Sequence, residues 1–442
     1  MIDTAVNPSL TSPHDVRRTI SSHLLADGYD FVLDMHQSRG MYLVDAQTGR
    51  SFVDLFTFYA SNPLGMNHPG LTGDEGFRAR LMDAALNKVA NSDIYTPHLA
   101  RFVDTFSRVG IPAEMPHAFF VSGGALAVEN ALKTAFDWKV RKNFRKGYRT
   151  ERGHQVLHFE KAFHGRSGYT MSLTNTDPNK VALYPKFDWP RVISPQCNGV
   201  DDEATAQARE ELAINQAKTY FQQHPDDIAA IIIEPIQAEG GDNHFRPQFL
   251  QALRDLADEN DALLIFDEVQ TGVGLTGTFW AYQGIGVTPD ILAFGKKTQV
   301  CGILAGRRID EVDGNVFSVS SRINSTWGGN LVDMVRFDRI LEVIESEGLV
   351  DNARDTGEYL LGQLQALAER APAVSNPRGR GLMCAFDLPT KEYRNDVLKR
   401  SYDNGLLILG CGERTIRFRP SLAATRDGLD EGLAILERSL TS

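Results

Sequence analysis

Between residues 118 and 294, short runs apolar on both faces alternate with longer amphipathic stretches. That alternation constrains the fold more than any other feature of the chain. The apolar runs are residues 118–121, 155–159, 228–233, 262–266 and 291–294. A strand that turns neither face to water belongs inside a sheet covered on both sides. The stretches between the runs have helical spacing, so the segment reads as an α/β sheet of parallel strands joined by crossover helices. Candidate helices are 125–140, with Val128, Leu132, Ala135 and Phe136 on one face, then 204–223 and 247–259. Ahead of this region, residues 42–54 read as two short strands around a turn at Gly49. Beyond 330 the texture changes. Residues 330–347 and 352–370 read as helices, and 382–388 and 416–418 as strands around a further helix, the pattern of a small α+β lobe. The expected division is an N-terminal segment of the small lobe (1–75), a large domain (76–330) and a C-terminal small domain (331–442).

Composition removes several classes of function. The net charge is −11, and no basic stripe is interleaved with aromatics, which argues against a nucleic-acid partner. The longest apolar runs, such as 228–233, are too short to span a bilayer, so no membrane partner is expected. Cys197, Cys301, Cys384 and Cys411 show neither CxxC nor Cys/His ligand spacing. Buried or half-buried free thiols and no metal site are therefore expected. The first residues lack a basic stretch followed by an apolar one, so a cytoplasmic location is the expectation.

Chemistry-bearing residues recur where the strands end. In Phe120-Val-Ser-Gly-Gly-Ala125 a strand gives way to a glycine-rich turn and then a helix, which frees N–H groups at the positive end of the helix dipole and suits a phosphate. Leu263-Leu-Ile-Phe-Asp267 delivers a carboxylate to the crevice at the strand ends, where it needs a cationic partner such as a pyridinium nitrogen. Asp290-Ile-Leu-Ala-Phe-Gly-Lys-Lys297 brings two lysines to the same edge, and a desolvated lysine there loses its proton or forms an imine. Singly, each has a plainer reading: an ordinary turn, a helix cap, a surface charge. Together they describe a phosphate site, an acid and a lysine in one crevice. The string Gly272-Val-Gly-Leu-Thr-Gly277 spells a dinucleotide fingerprint, but the residues after it make a poor start for a packed helix, so it reads as a loop.

From about Tyr42 onward these segments resemble the class III aminotransferases of pyridoxal-phosphate fold type I. The resemblance rests on Leu263-Leu-Ile-Phe-Asp-Glu-Val-Gln-Thr-Gly-Val-Gly-Leu-Thr-Gly277 and the run to Lys296, on Ala162-Phe-His-Gly-Arg-Ser-Gly-Tyr-Thr170, and on Asn324-Ser-Thr-Trp-Gly-Gly-Asn330. It implies a large, mostly parallel-sheet domain with a smaller α+β lobe formed by the N- and C-terminal segments. It implies pyridoxal 5'-phosphate held on Lys296, with Lys297 as the rival lysine. Asp267 would keep the ring nitrogen protonated, Gln270 would lie near the phenolic oxygen, and Phe163 would stack on the ring. Gly124 and Ala125 would bind the phosphate, joined by Thr326 from the neighbouring subunit of a homodimer with shared active sites.

Arg417 would grip the α-carboxylate of glutamate or 2-oxoglutarate, and Glu239 would cover Arg417 when an ω-amine enters. Arg166 would hold the far carboxylate and Asn324 would add a polar contact, while Arg419 reads as a surface or structural residue. Within the family the pattern is most like members that move the ε-amine of L-lysine to 2-oxoglutarate. Ornithine, acetylornithine or γ-aminobutyrate as donor is the alternative. A non-catalytic relative would be marked by loss of Lys296 or Asp267, and both are present. Two departures stand out. The phosphate turn lacks the hydroxyl residue common in relatives, leaving only Ser122 nearby, and Lys297 replaces a frequent glycine.

Overall fold

All but one of the strands in the central sheet run the same way, so their carboxyl ends share one edge. The computed structural model describes residues 11–196 and 203–441; residues 1–10 and Cys197 lie outside them. The strands are β1 (His117–Val121), β2 (Gln155–Phe159), β3 (Arg191–Val192), β4 (Ile228–Ile233), β5 (Leu263–Asp267), β6 (Ile291–Phe294) and β7 (Cys301–Ala305). Their spatial order is β1-β7-β6-β5-β4-β2-β3, and only β7 is antiparallel to its neighbours. Every residue of β4, β5 and β6 is buried, as expected of strands covered on both faces.

Helix α1 (Gly124–Arg145) covers one face of the sheet. Its Val128, Ala131, Leu132 and Ala135 pack with Val156, Ile232, Ile265 and Ile303. On the other face, Phe102 and Phe106 of helix Pro97–Val109 meet Phe294 and Phe337, with Phe106 ring centroids 5.7 Å and 5.6 Å from the latter two. Burying a side chain of this size contributes about 1.5–3 kcal/mol, so these two layers hold the sheet flat against its helices.

The chain ends build the rest. Tyr42–Val44 and Ser51–Asp54 pair antiparallel around Gly49, whose φ of +71° suits the turn. Leu406–Leu407 adds to them as a parallel strand, so N- and C-terminal segments share one small sheet. Ser375–Arg380, Met383–Asp387, Thr415–Arg417 and Leu409–Cys411 form a four-stranded antiparallel sheet that carries Arg417 toward the crevice. Cys301, Cys384 and Cys411 are buried free thiols. No helix among the described residues is long and apolar enough to cross a membrane.

Candidate active site

Three strand ends supply the lysine, the acid and the glycine turn, and the common direction of those strands is what gathers them. Asp267 closes β5, opposite Ala293 of β6, and Lys296 follows two residues beyond the end of β6. Gly123 and Gly124 follow β1, which pairs Val121 with Cys301 across β7. Packing then fixes the approach: a Cβ on Gly295 would lie 3.6 Å from the Gly124 Cα, so the phosphate-type turn sits directly beside the lysine turn.

Lys296 opens a short 3-10 turn with φ of +54°, a left-handed conformation that is strained for a residue with a side chain. Burial lowers its pKa first and the Arg417 guanidinium lowers it further, against the opposing pull of Asp267 and Glu239. Its Nζ lies 6.0 Å from the Tyr59 ring centroid. Lys297 does something different. It is buried, and its Nζ donates to the carbonyls of Gln270 at 2.7 Å and Ala60 at 3.4 Å. Burial, then Arg419 and Lys296, push its pKa well below the lysine range. The extra lysine therefore ties the Gln270 loop to residues Thr57, Phe58, Tyr59 and Ala60, which all have positive φ.

Asp267 is buried, and its Oδ2 pairs with His164 Nδ1 at 2.8 Å while Oδ1 accepts from Val269 N at 3.0 Å. His164 Nε2 has no partner among the described residues. The neighbouring Glu234 is enclosed, and burial followed by the Asp267 charge raises its pKa well above normal; its oxygens accept from the N–H groups of Phe163 and Ala238. Phe163 is half-buried above this acid pair, and Lys180 Nζ lies 5.5 Å from its ring centroid. Gly165 follows with φ of +128°, and a Cβ there would stand 2.6 Å from that of Ala125. That contact locks the 163–166 loop against the start of α1.

At the mouth of the crevice, Arg417 is almost wholly buried and gives Nη2 to Glu239 Oε2 at 2.9 Å. Its Nε and Nη1 are buried without partners among the described residues. Burial would raise the Glu239 pKa, but Arg417 and Lys180 outweigh it and hold the carboxyl below the usual range. A cavity of about 750 Å³ opens here, lined among others by Tyr59, Lys180, Glu239 and Arg417. Arg166 is exposed, with no ion pair or hydrogen bond among the described residues. Arg419 is no surface residue: it is fully buried, paired with Asp242, and its Nε donates to Gln270 Oε1 at 3.3 Å. Asn324 and Thr326 are not brought to this cluster. Both are exposed on a loop fastened by Ser92, whose Oγ donates to the Thr326 carbonyl at 3.2 Å.

Pyridoxal phosphate fits what is present. The first N–H groups of α1 have no side-chain cap, because Gly123 stands at the cap position with φ of +111°. An acid, an amine and the half-empty donor set of Arg417 lie in the same crevice. His164, Lys180 and Asp242 were not singled out from the sequence. The one available signal was that a buried Asp267 needs a protonated partner, and His164 adjoins the aromatic already chosen.

The fold and this crevice define a pyridoxal-phosphate enzyme of the aminotransferase type. The aminotransferase class-III family model matches residues 25–440, and the chain belongs to that family. It is 57% identical over 432 residues to an L-lysine-epsilon aminotransferase of Mycobacterium tuberculosis, covering 97% of this chain and 96% of that one. It is 54% identical to the enzyme of the same name from Amycolatopsis lactamdurans, covering 98% and 97%. A solved lysine aminotransferase from M. tuberculosis, in its internal aldimine form, superimposes with a TM-score of 0.97 at 56% identity, covering 98% of this chain and 99% of that one.

Proposed function

We propose that this aminotransferase moves the ε-amino group of L-lysine to 2-oxoglutarate, giving 2-aminoadipate 6-semialdehyde and L-glutamate. Likeness to lysine-ε aminotransferases along nearly the whole chain carries the choice of donor. The geometry supports it. Glu239 covers Arg417, as an incoming amine without a nearby α-carboxylate requires, and Arg166 stands free to hold a carboxylate at the other end of the substrate.

Bound pyridoxal phosphate supplies an aldehyde to take the amine and a ring that withdraws electrons once its nitrogen is protonated. The residues assigned to hold it are Lys296 at the aldehyde, Asp267 at the ring nitrogen, Gln270 near the phenolic oxygen, Phe163 on the ring face, and Gly124 and Ala125 at the phosphate. His164 keeps Asp267 aimed. The Lys296 amine, whose pKa burial and Arg417 lower, takes a proton from Cε of lysine in one half-reaction. In the other it returns one to C2 of 2-oxoglutarate. Glu239 then yields Arg417 to the α-carboxylate, which the guanidinium grips in its place. Thr326, exposed and not hydrogen-bonded to the crevice residues among those described, serves the phosphate of a second copy, with Asn324 beside it, so the active unit is a homodimer.

The donor is tested by mixing holoenzyme with L-lysine, L-ornithine, N-acetylornithine or γ-aminobutyrate, without keto acid, and following the cofactor absorption. Lysine is expected to discharge it fastest; discharge by ornithine with lysine inert would overturn the reading. Arg166→Met removes the far clamp, and truncating one partner of a charge pair costs about 2 kcal/mol or more, so KM should rise roughly 30-fold for both lysine and 2-oxoglutarate. Steady-state kinetics checks it, and a rise for one substrate alone rejects the shared clamp.

A further inference from the structure

Glu239 does not pair with Arg417 alone. Its carboxylate is shared, with Oε2 accepting from Arg417 at 2.9 Å and Oε1 from Lys180 Nζ at 2.5 Å. The two cations come from separate parts of the chain: Arg417 ends a strand of the C-terminal sheet, and Lys180 lies on the short helix Pro178–Val181. They also differ in environment. The Arg417 side chain is 1% exposed, that of Lys180 28% and that of Glu239 25%. The Phe163 ring gives the Lys180 ammonium a second contact, at 5.5 Å from its centroid, that does not depend on the carboxylate.

We infer that Lys180 is the second anchor of the Glu239 gate, holding the carboxylate when Arg417 is released and so setting how readily the enzyme admits a dicarboxylic keto acid. The inference rests on the gate reading above. A diacid gains Arg417 only if Glu239 leaves it. With Arg417 as sole partner, departure would strand a mostly buried carboxylate, which is costly. Lys180 removes most of that cost, because its bond to Oε1 already exists in the closed state. Closed, one carboxylate is divided between two cations. Open, it belongs to one and the other is free. An ω-amine leaves the pair undisturbed, so Lys180 acts on one half-reaction and touches no reacting atom. It is a positioning residue, and its effect is on substrate discrimination.

The test uses holoenzyme, with glutarate as an unreactive five-carbon diacid. Glutarate binding is measured by calorimetry, and the two half-reactions by single-turnover absorption. Lys180→Met is expected to weaken glutarate about tenfold, equal to about 1.4 kcal/mol, and to shift the ratio of the half-reactions by the same factor toward lysine. Lys180→Arg should restore both. In a Glu239→Ala background the Met substitution should have no further effect on glutarate, since no carboxylate needs a second home. An equal loss in both half-reactions overturns the inference, because a collapsed loop would do that. So does a tenfold loss of glutarate that persists without Glu239, which would make Lys180 a direct ligand. If Glu239→Ala shifts the ratio and Lys180→Met does not, the Lys180 role alone fails. If Glu239→Ala leaves the ratio unchanged, the gate itself fails and the inference with it.

Discussion

Lys296→Ala is expected to lower turnover by at least about 10⁴-fold while leaving the fold intact, because it removes both the covalent anchor and the proton carrier. The retained fold follows from the local structure. Lys296 contributes its strained φ of +54° and the carbonyl that Gln299 N reaches at 2.9 Å, and alanine keeps both at similar cost. The neighbouring lysine cannot take over. Lys297 is buried, and its Nζ is committed to the carbonyls of Gln270 and Ala60. Borohydride reduction of holoenzyme followed by peptide mass analysis reads the difference. The adduct should lie on Lys296 in the parent and persist on Lys296 in Lys297→Met. It should be missing from Lys296→Ala, with circular dichroism unchanged. An adduct on Lys297, or more than about 1% residual turnover in the alanine variant, contradicts the assignment.

What the sequence could not convey is mostly what lies between distant residues. The runs at 155–159, 228–233 and 291–294 coincide with strands because each is apolar on both faces and ends at a polar residue or glycine. β7 escapes such reading: Cys-Gly-Ile-Leu-Ala follows a 3-10 turn without punctuation, and nothing in its composition signals that it runs antiparallel. The first helix extends to Arg145, beyond the expected 140, because its last turn is cationic and is held by side-chain pairs such as Arg145 with Asp313, not by an apolar stripe. The lysine, acid and glycine turn were legible because each directly follows a strand. His164 beneath Asp267, Lys180 on Glu239 and Lys297 on Gln270 were not, since each is a pairing across the fold. The left-handed turn at 57–60 is the extreme case. It contains no glycine or asparagine; the carbonyl contact of Lys297, the Thr57 hydroxyl bond to the Arg419 carbonyl and the Asp54 carboxylate help hold it, beside its own backbone bonds such as Ser61 N to the Thr57 carbonyl at 2.8 Å.

The largest stability effect is expected at Asp242, which pairs with Arg419. Both it and Arg419 are fully buried, joined by two charge-assisted bonds, with Arg419 Nη1 to Asp242 Oδ2 at 2.9 Å. Arg419 spends its other groups on two segments. Nε reaches Gln270, its N–H donates to the Leu55 carbonyl at 2.8 Å, and its carbonyl accepts from Thr57 Oγ1 at 2.6 Å. Asp242→Ala leaves a guanidinium buried without its counterion, which typically costs about 3–5 kcal/mol. It also puts alanine at φ of +47°, a conformation aspartate tolerates better. The urea midpoint should fall accordingly. Asp242→Asn separates the two contributions: it keeps the shape and suits the backbone but removes the charge, so most of the loss should remain. The pair itself need not stabilise the fold, since two buried ions are desolvated to form it. Arg419→Met combined with Asp242→Leu should therefore cost much less than the sum of the single changes. What the double variant is expected to lose, besides the backbone cost of leucine at φ of +47°, is the hold on Gln270 and on the 57–60 turn, read as weaker cofactor retention on dialysis. A single Asp242→Ala loss below about 1 kcal/mol would mean that water or local opening solvates Arg419, and the pair would then carry no such burden.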